Sequence, residues 1–150
     1  MTDIVDILRE ITETELSWKF TYGRSDFQNL TEADNENDSS TFFFLDPVSR
    51  DPLFSSTGGS LGQTDFEGNF MILSKSELDE VYDNQQSVDP TMGKYQKNIK
   101  PKLEVLLNNF KSKLFCRSIQ IMRMKSTDVI NVFNDNYDGI LVSFKFKMFE

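Results

Sequence analysis

The chain has 150 residues, a length typical of one domain, and a formal net charge of −8. It contains no histidine and a single cysteine, which excludes imidazole-based triads, Cys–His pairs, internal disulfides and cysteine-rich zinc sites. The acidic balance argues against a general nucleic-acid binder, which presents a basic surface.

The N-terminal region is predicted to form a helix, a strand and an acidic loop. Apolar residues at helical spacing over 3–16, with Thr2 or Asp3 as a cap, predict an amphipathic helix. Residues 18–22 alternate apolar and polar side chains, which predicts a strand with one buried face. The acidic stretch over 24–40 has few apolar residues and is therefore expected to be a long exposed loop.

The next region is predicted to contain two strands on either side of a second long loop. Residues 41–45 form a compact aromatic strand. Two Asp-Pro pairs and a stretch rich in serine and glycine predict an extended loop over 46–63. A strand follows over 64–74, with a bulge expected at Gly68 because a glycine interrupts the strand pattern.

The strongest helical pattern begins after a short predicted helix. A capping-box pattern at Ser74 and Glu77 predicts that short helix, which ends near residue 83. From Tyr95 to Leu114 the apolar residues, including Leu107, form one stripe, and several lysines lie on the opposite, solvent-facing side. Pro101 lies inside this pattern, so the helix either begins there or is kinked there.

The C-terminal third is predicted to consist of strands. Separate strands are expected over 118–125 and 128–133, followed by a turn over 135–139. Alternation over 140–149 predicts a final strand with one apolar face, closing a hairpin. The element order predicts a single α+β domain: a mostly antiparallel sheet packed against one long amphipathic helix, with an N-terminal helix and a C-terminal β-hairpin.

The motifs that resemble catalytic or metal sites are incomplete. The glycine-rich segment over 58–64 has Gln63 where a phosphate-binding loop needs lysine. The acidic turn that begins at Asn134 has Lys145 where a calcium loop needs glutamate. The carboxylates over 77–83 occupy the first turns of the predicted helix, where the helix dipole stabilises negative charge. We therefore predict no enzymatic activity, no cofactor and no metal site.

Charge is distributed unequally between the two parts of the chain. Residues 1–90 contain 19 acidic and 5 basic side chains, whereas residues 91–150 contain 5 acidic and 11 basic ones. One interpretation is that the two parts pack together and their fields partly cancel. The other is that acidic and basic faces lie apart and attract complementary faces of neighbouring copies.

The layout of the chain resembles that of the tail-terminator and head–tail connector proteins of tailed bacteriophages. The C-terminal pattern is similar to that of phage and prophage proteins of the Bacteroidetes. The segments that carry the resemblance are the helix over 3–16, the strand over 18–22, the strand over 66–73 with Ser74-Lys75-Ser76-Glu77-Leu78, the helix over 99–114, and 129–133 with 135–136 and 139–144.

The resemblance implies a structural virion protein in the phage neck, present in the host cytoplasm during assembly. Such proteins form closed rings, here expected to be six- or twelve-fold, through side-to-side contacts. It implies neighbouring portal, connector or tail proteins as partners, with no specific nucleic-acid binding and no membrane. The candidate contact residues are Glu32, Asp34, Glu36, Asp38, Pro47, Pro52, Phe54, Lys97, Lys100 and Lys111.

An alternative of another class remains open. The acidic half also suits a monomeric or dimeric cytoplasmic binding module, such as an adaptor or an inhibitor that mimics nucleic acid. The oligomeric state discriminates between the two hypotheses. A third hypothesis, a small hydrolase that uses paired carboxylates, requires a pocket that the sequence does not indicate.

Overall fold

The computed structural model describes residues 3–23, 41–75, 93, 95–132 and 137–149. They form a six-stranded, mostly antiparallel sheet with two helices, so the predicted α+β class is confirmed. The predicted acidic loop over 24–40 and the helix predicted to follow Ser74 lie outside the described residues, apart from Ser74 and Lys75, which belong to a strand.

Two helices pack on one face of the sheet. Helix α1 comprises an α-helical segment, Ile4–Glu10, and a π-helical turn, Ile11–Glu15, which confirms the predicted N-terminal helix. Helix α2 comprises four consecutive segments: Tyr95–Ile99 (π), Lys100–Val105 (α), Leu106–Phe110 (π) and Lys111–Phe115 (α). Pro101 lies in the first turn of the α-helical segment that begins at Lys100, at the junction with the preceding π-helical segment, so the helix continues through the proline from Tyr95.

The strands are ordered β1-β2-β4-β6-β5 across the sheet. The sixth strand, β3, shares with β2 the edge of β4 that faces away from β6. Among the described strands, only β1 and β2 pair in parallel. The strands are β1 (Lys19–Tyr22), β2 (Thr41–Leu45), β3 (Ser49–Phe54), β4 (Ser60–Lys75), β5 (Ile119–Val132) and β6 (Tyr137–Phe149).

The prediction of a long loop over 46–63 is wrong. Most of this segment forms the β3–β4 hairpin, in which Ser49 pairs with Glu67 and Phe54 with Ser60. Proline is tolerated because β3 is an outer strand, and the register shifts just after Pro52. The glycines and serines that suggested a loop form the tight connection over 55–59, where Gly58 has a φ of 88°.

Two expectations for the C-terminal strands also need correction. The predicted break near residue 126 is absent, because β5 continues from Ile119 to Val132. Tyr137, Asp138 and Gly139 belong to β6 and not to a turn, because they pair with Lys75, Ser74 and Leu73. Long-range ladder hydrogen bonds with β4 thus override the local turn preference of an Asp-Gly sequence.

The main core lies between the helices and the sheet. The predicted inward face of β6 is confirmed: Ile140, Val142, Phe144, Phe146 and Met148 are all buried. They pack with apolar side chains of α1 and α2 in one cluster. Aromatic stacking links the elements, because the Phe70 ring lies 4.6 Å from Phe43 and 5.7 Å from Phe110 of α2.

Close packing explains the glycines at 68 and 139. The bulge predicted at Gly68 is absent, and a Cβ there would lie 3.2 Å from the Phe144 ring. A Cβ at Gly139 would overlap the carbonyl oxygen of Ile72 on the neighbouring strand. The sequence pattern of a glycine within a strand thus reflects the close approach of a neighbour at both positions.

Candidate protein-contact surfaces

The charge asymmetry of the sequence becomes an asymmetry across the sheet. Strands β1 to β4 come from the first part of the chain, and β5 and β6 come from the second. The described residues of 3–75 include nine acidic and four basic side chains, and those of 93–149 include three acidic and ten basic ones. We call α1 with β1 to β4 the acidic side, and α2 with β5 and β6 the basic side.

The helices follow the same division. Helix α1 lies over the acidic side, because Arg9 stacks 5.0 Å from the Phe20 ring of β1 and Asp3 pairs with Arg50 of β3. Helix α2 packs mainly against β5 and β6, although its Phe110 ring also contacts the Phe70 ring of β4. The two helices are joined by Arg117, whose guanidinium lies 3.3 Å from carboxylate oxygens of Glu10 and Glu15.

The sheet face opposite the helices repeats the division in its side chains. Asp65 and Glu67 of β4 lie directly opposite Lys147 and Lys145 of β6, and Lys145 lies opposite Arg123 of β5. Along these rows the charge changes from negative on β4 to positive on β6 and β5. Both faces of the sheet thus have the same lateral polarity.

An apolar groove runs along the end of α2. It has a volume of about 920 Å³ and lies between the last turns of α2, the beginning of β5 and the end of β6. Its lining includes Leu107, Lys111, Phe115, Ile121 and Phe149. Phe115 is 79% exposed and Leu107 is 60% exposed, which is unusual for large apolar side chains beside a cavity. We call this feature the α2 groove.

A second exposed apolar feature is the tip of the β3–β4 hairpin, residues 54–61. Phe54 and Leu61 are each 60% exposed. The turn between them is ordered by hydrogen bonds: the Ser55 amide donates to the Gly59 carbonyl at 2.7 Å, and the Gly59 amide donates to Ser55 Oγ at 3.1 Å. The hairpin tip therefore carries two exposed apolar side chains on the strands that flank an ordered turn.

A buried polar cluster lies where α2 meets β4 and β6. Lys102 is 6% exposed, and its ammonium group donates to Ser74 Oγ at 2.7 Å and to the carbonyl of Asn98. Burial lowers the pKa of Lys102 to about 8, an effect that the charge of Asp138 partly opposes. The Asn98 amide donates to Asp138 Oδ2 at 3.4 Å. These contacts fix α2 against the ends of the two central strands.

The predicted contact residues do not form one site. Glu32, Asp34, Glu36 and Asp38 lie outside the described residues. The other six are exposed and belong to different elements. Pro47 precedes β3, Pro52 and Phe54 belong to β3, Lys97 and Lys100 lie in the first half of α2, and Lys111 lines the α2 groove.

Two residues of α2 differ from the sequence interpretation. Leu107 belongs to the predicted apolar stripe but is exposed beside the α2 groove, and Lys102, one of the lysines expected on the solvent-facing side, is buried. Both residues lie at the borders of the stripe on a helical wheel, where contacts with the sheet decide which side chain is covered. The sequence did not predict Phe115 and Phe149 as contact residues, although both line the α2 groove. The feature that could have indicated them is a large apolar side chain at the end of a helix or strand.

A scan against protein-family models and a search of curated proteins found no match for this sequence. Within the described residues, no group of three or more cysteine, aspartate or glutamate side chains is placed to hold a metal ion. Over the same part of the chain, neither helix has the length and apolar composition needed to cross a membrane.

Proposed function

We propose that this protein is a structural subunit of a tailed-bacteriophage virion that forms a closed ring at the head–tail junction. In this proposal it docks to neighbouring portal or tail proteins, lines the path of the DNA and performs no catalysis. The observation that carries the proposal is the lateral polarity of the sheet, with an acidic side and a basic side on one subunit. The sequence resemblance to tail-terminator proteins supplies the biological setting.

The polarity favours contacts between unlike surfaces. A side-to-side contact that joins the acidic side of one copy to the basic side of the next leaves a free surface of each kind, so further copies add until the ring closes. A symmetric dimer would instead bring like charges together if either side paired with itself. The overall charge of −8 suits a lumen through which DNA passes without tight binding.

The proposal is tested with two charge-reversed variants and their mixture. One variant makes the basic side acidic: Lys97→Glu, Lys100→Glu and Lys111→Glu. The other makes the acidic side basic: Asp6→Lys and Asp51→Lys. All five positions are exposed, so the fold should be retained. Absolute mass is measured by light scattering, with negative-stain images of the same peak.

We expect wild-type rings, weaker assembly of each variant alone, and recovery of alternating rings when the variants are mixed. Recovery is expected because every contact in the mixture again joins opposite charges. Rings that form equally well from either variant alone would contradict the role of the charged sides. A monomer at every concentration tested would contradict self-assembly and would favour the alternative of a small acidic binding module.

A further inference from the structure

We propose that the β3–β4 hairpin tip of one copy docks into the α2 groove of the next copy. This inference rests on the proposed ring and names the surfaces that would form its subunit contact. It assigns an occupant to the groove: Phe54 and Leu61 of the neighbouring hairpin.

The groove and the hairpin tip have the same chemical character. Phe115, Leu107 and Phe149 are each at least half exposed beside the groove, and Phe54 and Leu61 are equally exposed on the hairpin tip. Exposed aromatic and aliphatic side chains around a concave surface are typical of protein-contact sites, because their burial removes apolar area from water. A contact between the two features would cover both at once.

The two features lie at the same end of the sheet. Phe149, the last residue of β6, pairs with Gln63 of β4, and Met148 pairs with Ile119 at the beginning of β5. The hairpin continues past this level, since β4 begins at Ser60 and the turn over 55–59 lies beyond it. Copies standing side by side in the same orientation therefore hold tip and groove at similar heights.

The two features also lie on opposite lateral sides. The hairpin belongs to the acidic side, where Asp51 of β3 lies directly opposite Asp65 of β4. The α2 groove belongs to the basic side and has Lys111 in its lining. Asp65 also lies opposite Lys147 of β6, so Asp51, which is exposed on the outer strand β3, is the carboxylate that a cation of a neighbouring copy can approach. A tip-to-groove contact would bring Lys111 of one copy towards Asp51 of the next.

The contact is tested by cross-linking between copies. Cys116 is the only cysteine of the chain, is exposed and lines the groove. The test variant carries Leu61→Cys and Cys116→Ser, so its single thiol lies on the hairpin tip; it is mixed with tagged wild-type protein and treated with a short bismaleimide. The control variant carries Glu13→Cys and Cys116→Ser, which places its single thiol on the exposed face of α1. We expect a cross-linked product of one test variant and one wild-type chain, and little or no such product with the control variant.

A second experiment measures assembly directly. Phe54→Ser removes the larger side chain of the hairpin tip, and Ser49→Ala is a control at an exposed position at the other end of the same strand, β3. We expect Phe54→Ser to weaken assembly at least tenfold in concentration, with an unchanged thermal unfolding midpoint, and Ser49→Ala to assemble as wild type. Mixing Phe54→Ser with the groove variant Phe115→Ser should yield a species of two copies, because each retains one intact surface.

The outcomes separate this inference from the proposed function. Wild-type rings that survive Phe54→Ser, with no cross-link above the Glu13→Cys control, would overturn the tip-to-groove contact and leave the ring proposal standing. A wild-type monomer with no cross-link at position 61 would overturn both. Rings with the expected cross-link and loss of assembly in Phe54→Ser would support both.

Discussion

The buried lysine of α2 provides a prediction about stability and pH. Lys102 is only 6% exposed, and its burial lowers the pKa of its ammonium group to about 8 from the ordinary value of 10.5. The perturbation is Lys102→Met, which keeps an unbranched side chain of similar length and removes the titratable group. The matched control is Lys100→Met, because Lys100 lies exposed two residues earlier on the same helix.

The direction of the effect follows from proton binding. Between about pH 8 and pH 10.5 the unfolded chain holds a proton on Lys102 that the folded protein has released. Because the unfolded state binds more protons in this window, the free energy of unfolding contributed by Lys102 rises with pH. The difference between the two pKa values corresponds to about 3 kcal/mol, at about 1.4 kcal/mol per pKa unit. The wild type should therefore gain about 3 kcal/mol relative to Lys102→Met between pH 7 and pH 10.5.

The assay is urea denaturation of the three proteins at half-unit steps from pH 7 to pH 10.5, followed by tryptophan fluorescence from Trp18. Subtraction of the variant curve from the wild-type curve removes the titrations of all other groups. The difference should rise with pH for Lys102→Met and stay flat for Lys100→Met. A flat difference for Lys102→Met would refute the burial of a charged Lys102, and a difference that falls with pH would show a pKa raised by folding.

Two further predictions concern packing and an ion pair. Gly139→Ala should lower the free energy of unfolding by more than about 3 kcal/mol, because its Cβ would overlap the Ile72 carbonyl oxygen. Gly59→Ala is the control, because its Cβ would meet nothing closer than 3.4 Å, and its free energy of unfolding should lie within about 1 kcal/mol of wild type. Urea denaturation measures both values. Arg50→Met should cost about 1 kcal/mol or less, because its paired hydrogen bonds to Asp3, at 2.8 and 2.7 Å, are partly exposed. Those hydrogen bonds lower the pKa of Asp3, so the difference between Arg50→Met and wild type should shrink as pH falls through that pKa in thermal denaturation. Equal stability of Gly139→Ala and Gly59→Ala, or a pH-independent effect of Arg50→Met, would contradict these assignments.

The elements with a regular apolar period could be predicted from the sequence alone. Helix α1 and the buried face of β6 follow directly from spacings of 3.6 and two residues, because burial on one face imposes those periods. The unequal charge of the two parts of the chain is likewise a property of the sequence. The strand order of the sheet determines where those charges lie, because it places β1 to β4 on one side and β5 and β6 on the other.

The remaining features depend on which segments meet in the tertiary structure. The proline- and glycine-rich segment after β2 becomes a hairpin because β4 supplies a ladder partner, and Tyr137 to Gly139 join β6 for the same reason. Helical periodicity places Leu107 in the apolar stripe, whereas the tertiary structure leaves it exposed beside the groove and buries Lys102 against Ser74 of β4, so the candidate groove could not be found by helical periodicity. Local sequence thus determined the apolar faces, whereas the tertiary structure decided the strand pairing, the exposed ends and the surfaces that remain for a partner, because these depend on contacts between residues distant in the chain.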